Sequence, residues 1–90
     1  MLIALIARDK DGALQTRLEN RPDHVAYLKS SDCIAQAGPL LNNGGEMVGS
    51  LIILDVATMS EAEDWAANDP YAKAGLFQNV ELIPWNRVIG

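Results

Sequence analysis

The residues in this sequence best suited to proton transfer are its single histidine, His24, and an aspartate directly before a proline, Asp69. An imidazole has a reference pKa of about 6.5, so it can take up and release a proton near neutral pH. At about 100° per residue, His24 lies roughly 70° from the direction of Val25 and Leu28, at the border of an apolar helical stripe. An imidazole at that border could reach a ligand. The spacing alone favours a partly exposed histidine without a role.

Asp69 has a simpler interpretation as a helix cap. Asp followed by Pro is a favourable N-cap and first-turn pair for a helix over residues 70–77, and periodicity favours this role. The preceding helix presents Ala62, Trp65 and Ala66 on one face, and position 69 continues that face, so the carboxylate could point inward. A capping carboxylate keeps lone pairs for a second donor, so capping and catalysis are compatible.

Four further residues are candidates for lining a ligand pocket. Ser50 carries a hydroxyl among apolar strand neighbours, and a buried hydroxyl needs a partner from the protein or a ligand. Gly38 and Pro39 are expected to end a strand, where glycine allows close approach and proline interrupts the ladder. Tyr71 could aim its phenol at a pocket, although a packed tyrosine is the simpler expectation.

Composition excludes several classes of function. The chain has 90 residues, which predicts one domain over residues 1–90 without a second core. The net charge is −5 and no basic patch is present, so nucleic acid is not expected as a partner. The longest apolar runs are too short to span a membrane.

Metals and cofactors are not expected either. One histidine and one cysteine, Cys33, argue against a structural zinc site, and no phosphate loop or dinucleotide fingerprint is present. Cys33 has no nearby basic residue to lower its pKa, so we interpret it as a small buried hydrophobe. A single cysteine cannot form an internal disulfide, which favours a cytoplasmic location.

Periodicity and turn residues predict six elements that must position the candidate residues. The strands are expected at residues 1–8, 33–40, 47–57 and 79–85. A helical region is expected over 12–31 with a break or kink near Pro22, and a second helix over 60–68 with a capping box of Ser60 and Glu63. The order β-α-β-β-α-β predicts a ferredoxin-like α+β fold, with a four-stranded antiparallel sheet and both helices on one face.

The third predicted strand is apolar on both sides. It offers Leu51 and Ile53 to one face of the sheet, and Ile52, Leu54 and Val56 to the other. Helices on one side would leave the second face uncovered, and the chain has no further element for it. We therefore expect a homodimer, or a higher homo-oligomer, in which two sheets pack face to face as a dimeric α/β barrel.

Several stretches in chain order together resemble the YciI-like family: "RLENRPDHVAYL", "QAGPLL", "GSLIIL", "NDPYAKAGLF" and "VELIPW". The resemblance covers nearly the whole chain and implies a dimeric α/β barrel of ferredoxin-like protomers. It also implies an active site centred on a histidine–aspartate dyad, here His24 and Asp69, with Ser50 and Tyr71 as pocket-lining positions. The loop "LNNGGEM" looks shorter than in other members, which bears on pocket size and specificity.

The residues and the resemblance lead to the hypothesis of a small cofactor-independent enzyme. His24 would act as general acid/base, and Asp69 would accept a hydrogen bond from its imidazole. Without an evident covalent nucleophile, isomerisation or a lyase reaction such as dehydrochlorination of a small organic molecule fits best. The alternative is a non-catalytic small-molecule-binding or accessory dimerisation module, with Asp69 as a cap and His24 as a pocket wall.

Overall fold

The computed structural model describes residues 1–90 and forms one antiparallel sheet with three helices. The elements in chain order are β1 (Leu2–Asp9), α1 (Leu14–Ser30), β2 (Ile34–Leu41), β3 (Met47–Asp55), α2 (Met59–Asn68), α3 (Pro70–Lys73) and β4 (Phe77–Trp85). The strand order is β2-β3-β1-β4, and every neighbouring pair is antiparallel. This arrangement confirms the predicted ferredoxin-like α+β fold.

The hydrophobic core lies between the inner face of the sheet and the helices. Alternate residues of the two central strands point inward because side chains in a strand alternate between faces. The core residues from the strands and from α2 are Ile3, Leu5, Ala7, Ile52, Leu54, Val56, Ala62 and Trp65. The core thus joins β1 and β3 to α2, and it holds the sheet beneath the helices that carry His24 and Asp69.

The outer face of the sheet is apolar as well. Leu51 and Ile83 pair with Ile6 and Ala4 of β1, on the side away from the helices. Leu51 is 40% exposed and Ile83 43%, and no element of the chain covers them. The apolar second face is therefore real, and its pairing into a homodimer stays a prediction.

Of the predicted break or kink near Pro22, the break is wrong, since α1 runs unbroken from Leu14 to Ser30. A proline inside a helix removes one hydrogen bond, here the bond to the carbonyl of Leu18 one turn earlier. Leu18 is 47% exposed and Pro22 is exposed too. Water can therefore replace the missing donor, and the helix continues on its solvent side.

The predicted capping box of α2 is displaced by two residues. Thr58 is the N-cap, and its Oγ1 accepts a hydrogen bond from the backbone N–H of Glu61 at 3.2 Å. The carboxylate of Glu61 in turn accepts from the backbone N–H of Ala57 at 3.1 Å. The same spacing of hydroxyl and acid occurs at Ser60 and Glu63. The earlier pair caps the helix because Thr58 has the extended backbone that an N-cap requires.

Two other predicted boundaries are also wrong. Gly38 and Pro39 do not end β2 but lie inside it, and the strand runs over Ile34–Leu41 against the predicted 33–40. Because β2 is an edge strand with β3 as its only neighbour, a proline without an N–H is tolerated. The helix after Asp69 is shorter than predicted, because Gly75 has a φ of +72° and turns the chain toward β4.

Gly49 is a position where two strands approach too closely for a side chain. A Cβ atom there would lie 2.3 Å from the backbone oxygen of Ala7. Because a backbone carbonyl cannot rotate away, Gly49→Ala should force the strands apart and lower the free energy of unfolding by about 1–3 kcal/mol. Chemical denaturation measures this change.

Gly38→Ala is the matched control for this variant. Gly38 pairs with Leu51, so both glycines would direct a Cβ to the outer face. Nothing lies within 4 Å of that position at Gly38. We expect Gly38→Ala to unfold at the same denaturant concentration as the wild type. Equal stability of the two variants would contradict the steric explanation.

The structure contains neither a membrane-spanning helix nor a cluster typical of a metal site. No helix is both long and apolar enough to cross a bilayer. No group of three or more His, Cys, Asp or Glu side chains lies close enough together to bind an ion. A cytoplasmic location stays a prediction.

Candidate active site

His24 and Asp69 meet in the interior, although 45 positions separate them in the sequence. Nδ1 of His24 lies 2.8 Å from Oδ1 of Asp69, within hydrogen-bonding distance. His24 is 6% exposed and Asp69 is 1% exposed. The buried histidine–aspartate contact that the resemblance implies is thus present, whereas its catalytic role stays a prediction.

Local backbone rules place the carboxylate of Asp69. The residue before a proline avoids the helical region, so α2 ends at Asn68 and Asp69 adopts φ −61° and ψ 127°. There Asp69 is the N-cap of α3, and its Oδ1 accepts the backbone N–H of Tyr71 at 3.0 Å. The same oxygen contacts His24. One carboxylate oxygen therefore caps the helix and holds the imidazole.

His24 is more deeply buried than its predicted border position. The two buried residues of α1 are Arg17 and His24, one above the other at a spacing of seven, while Val25 and Leu28 are only half-buried. The face of α1 that is buried against the sheet is therefore not the apolar face that the sequence predicted. The ring of Tyr71 stacks on the imidazole with a centroid distance of 3.9 Å and an interplanar angle of 15°.

The second imidazole nitrogen of His24 is free. Nε2 makes no hydrogen bond within the protein. It is also not fully buried, because the only fully buried side-chain nitrogen or oxygen without a hydrogen bond is Asp69 Oδ2. His24 borders a cavity of about 180 Å³ between α1 and the sheet. If Nδ1 carries the proton that Asp69 accepts, Nε2 presents a lone pair and can act as a base.

The structure brings all four predicted pocket residues to this cavity. Ser50 and Tyr71 border it with their side chains buried, and Gly38 and Pro39 form part of its opposite wall. Pro39 pairs with Ser50 across the strands, so both side chains are on the inner face. Gly38 contributes backbone only, because its side-chain position faces the outer side. The binding roles of these residues remain proposals.

Arg17 is a site residue that sequence reasoning missed. Its guanidinium donates to both carboxylate oxygens of Asp9, at 2.7 and 2.9 Å, and to Ser50 Oγ at 2.9 Å. It also lies 4.5 Å from the centre of the Tyr71 ring. Arg17 therefore ties α1 to β1, β3 and α3 at the wall of the cavity. The spacing of Arg17, Arg21 and His24 along one helix face was the available signal.

The tyrosine at the cavity remains protonated at neutral pH. Burial raises the pKa of the Tyr71 phenol, and the opposing effects of the Arg17 and Arg21 charges do not cancel this increase. A neutral phenol can donate a hydrogen bond to a ligand oxygen.

Tyr27 and Cys33 lie outside the cavity. The hydroxyl of Tyr27 donates to the backbone oxygen of Trp65 at 2.8 Å, and its ring packs on Trp65. Burial raises the pKa of the Cys33 thiol, which packs against the core. A thiol with a raised pKa is a poor nucleophile, and Cys33 packs as a small hydrophobe, but it is half-buried rather than buried as predicted.

Fold and site together define a ferredoxin-like α+β protein with a buried histidine–aspartate pair beside an open cavity. The YCII-related domain matches residues 1–86, and the chain belongs to this family. The resemblance seen in the sequence motifs is thereby confirmed.

Relatives of similar length share a third of their residues with this chain. Protein YciI of Escherichia coli O6:H1 is 33% identical over 98% of this chain and 99% of the relative. An uncharacterised protein of Haemophilus influenzae matches at the same identity and coverage. These matches extend over almost the complete length of each relative.

A solved structure agrees closely with the fold. The 5-chloro-2-hydroxyhydroquinone dehydrochlorinase TftG of Burkholderia phenoliruptrix, in complex with 2,5-dihydroxybenzoquinone, superposes with a TM-score of 0.88. It is 33% identical, and the match covers 96% of this chain and 94% of that one. An antibiotic biosynthesis monooxygenase, with a TM-score of 0.58 and 10% identity, shares the fold alone.

Proposed function

We propose that this protein is a cofactor-independent enzyme that uses His24 as a general acid/base on a small organic substrate. The observation that carries the proposal is the buried contact between His24 Nδ1 and Asp69 Oδ1 at 2.8 Å, with Nε2 left unpaired and His24 bordering a cavity. The carboxylate orients the ring and stabilises its protonated form, so that Nε2 can exchange a proton with a bound molecule.

The reaction class follows from what surrounds the imidazole. A serine nucleophile would have to donate its hydroxyl proton to a neighbouring base, but Ser50 Oγ makes its hydrogen bond to Arg17 and none to His24. Cys33 lies outside the cavity. Without a nucleophile, proton transfer leads to isomerisation or to elimination of a leaving group. The structural relative named as a dehydrochlorinase supports elimination as the first reaction to examine.

The competing explanation is a binding module in which Asp69 only caps α3. Its basis is the hydrogen bond from the Tyr71 N–H to Asp69 Oδ1 at 3.0 Å, which exists whether or not chemistry occurs. The two explanations differ in what the negative charge of Asp69 does to His24.

The substitution Asp69→Asn separates charge from capping. Asparagine caps a helix about as well as aspartate, so α3 should persist, but it carries no negative charge. Without that charge the imidazolium that forms during proton transfer is less stabilised, so we expect turnover to fall. Chloride release from 5-chloro-2-hydroxyhydroquinone, used as a trial substrate, measures turnover, and circular dichroism checks that the fold is kept.

Asp23→Asn is the matched control, because it removes the same charge from an exposed residue next to His24. Solvent screens an exposed carboxylate, so its loss should change turnover far less. Unchanged turnover in Asp69→Asn would support the capping explanation alone. If the wild type releases no chloride, elimination of this kind is wrong.

A further inference from the structure

The cavity beside His24 differs in charge from the protein as a whole. The chain carries 12 acidic and 7 basic residues, a net charge of −5. The cavity is bordered by Arg17, Arg21 and His24, and by no aspartate or glutamate. The wall of the cavity next to His24 is therefore basic, although the protein as a whole is acidic.

The two arginines of this wall are not equivalent. The charge of Arg17 is compensated by Asp9 through two short hydrogen bonds. Arg21 has no carboxylate within 4.0 Å and makes no side-chain hydrogen bond within the protein. Its five N–H donors are therefore available to a ligand. Arg21 supplies the uncompensated positive charge at the cavity.

Helix α1 carries Arg21 on the same face as His24. Arg21 follows Arg17 by four residues and precedes His24 by three, so the three side chains share one helix face. The electrostatic effect of Arg21 reaches Tyr71, which stacks on His24. An exposed arginine elsewhere would be ordinary, but Arg21 borders the same cavity as His24.

The remaining surface suits the body of a small ring. Half of the 12 bordering residues are hydrophobic, among them Val25, Leu28 and Ile52. The cavity measures about 180 Å³. A cavity of about 150 Å³ is large enough for benzene. The space therefore fits one substituted ring.

We propose that the cavity binds a single-ring organic anion, an ionised phenol, enol or carboxylic acid, whose charged oxygen pairs with Arg21. The inference rests on the proposed function in one respect, because both concern the same site. Anion binding itself does not require turnover. If His24 removes a proton from a bound ring hydroxyl, the electron pair stays on that oxygen. Arg21 then stabilises the negative charge that forms.

The test compares ligands that differ in charge and variants that differ in position. Benzoate and benzamide have nearly the same shape, but only benzoate is anionic. 2,5-Dihydroxybenzoquinone, whose hydroxyl groups are vinylogous acids and ionise readily, is the second anionic probe. Binding of each is measured by NMR titration with the wild type, Arg21→Gln, Arg21→Lys and Arg87→Gln.

We expect both anions to bind the wild type more tightly than benzamide and to bind less tightly as salt is added. Arg21→Gln should weaken anion binding about 10–100-fold, the usual loss for a charge-assisted hydrogen bond, whereas Arg21→Lys should lose less. Arg87→Gln removes an equal charge away from the cavity and should leave binding within about twofold of the wild type. Arg21 is an exposed helix position and glutamine a good helix former, so the fold should persist.

Three results would overturn the inference: benzamide binding as tightly as benzoate, Arg21→Gln binding the anions as tightly as the wild type, or no anion binding at all. Failure of the proposed function would give a different result from these three. Anion binding that depends on Arg21, without chloride release from the trial substrate, leaves the inference standing while the dehydrochlorination proposal fails.

Discussion

Replacing Arg17 with methionine is expected to lower the free energy of unfolding by about 3–5 kcal/mol, the usual cost of removing one partner of a buried ion pair. The side chains of Arg17 and Asp9 are 2% and 5% exposed, so the remaining carboxylate would have neither its partner nor full hydration. Ser50 Oγ would lose a donor as well. Urea denaturation followed by circular dichroism measures the loss.

A small domain has a total stability of about 5–15 kcal/mol, so the single variant could fail to fold. The double variant Arg17→Met with Asp9→Leu keeps the prediction testable. Replacing both charges by apolar groups of similar volume removes the orphaned carboxylate, and such replacements are often neutral. We expect the double variant to be more stable than Arg17→Met alone. A single variant within about 1 kcal/mol of the wild type would contradict the buried-pair explanation.

The second large effect concerns turnover. His24→Asn should reduce chloride release from the trial substrate by about 10²–10⁴-fold, the usual contribution of a general acid/base. The amide nitrogen of asparagine can take the place of Nδ1 and donate to Asp69 Oδ1, but nothing replaces Nε2 at the cavity. The substitution therefore removes the proton-exchanging atom while it preserves the buried hydrogen bond.

Tyr27→Phe, on the same helix, is the control for His24→Asn. It removes a hydroxyl that donates to Trp65 outside the cavity, so it should alter stability without altering turnover. Full activity of His24→Asn would remove the histidine from the mechanism. Equal losses in both variants would indicate a general disturbance of α1.

The strands were largely predictable because their signal is local. In β1, Ile3, Leu5 and Ala7 lie in the core and alternate with residues of the other face, with the period of two of a strand. The edge strand β2 was harder, because whether Pro39 ends a strand depends on which side of the strand has a neighbour. Only the sheet order supplies that information.

Helix α1 shows why the site was only half predictable. The helical region predicted over residues 12–31 is present, but Val25 and Leu28 are only half-buried and the buried residues of the helix are Arg17 and His24. An arginine is buried only when a partner compensates its charge. Here the partner is Asp9, on another element, and periodicity along α1 cannot reveal it.

The position of Asp69 was determined partly by the sequence and partly by the tertiary structure. Sequence alone determined that the chain leaves α2 at Asp69 and begins a new helix at Pro70, because proline constrains the residue before it. Sequence also determined the strand pattern and, through family motifs, indicated that the single histidine pairs with Asp69. Only the tertiary structure decided that one oxygen of Asp69 both caps α3 and contacts His24, and that Arg21 remains uncompensated beside them. Backbone preferences act between neighbours in sequence, whereas contacts between buried charges depend on how whole elements pack.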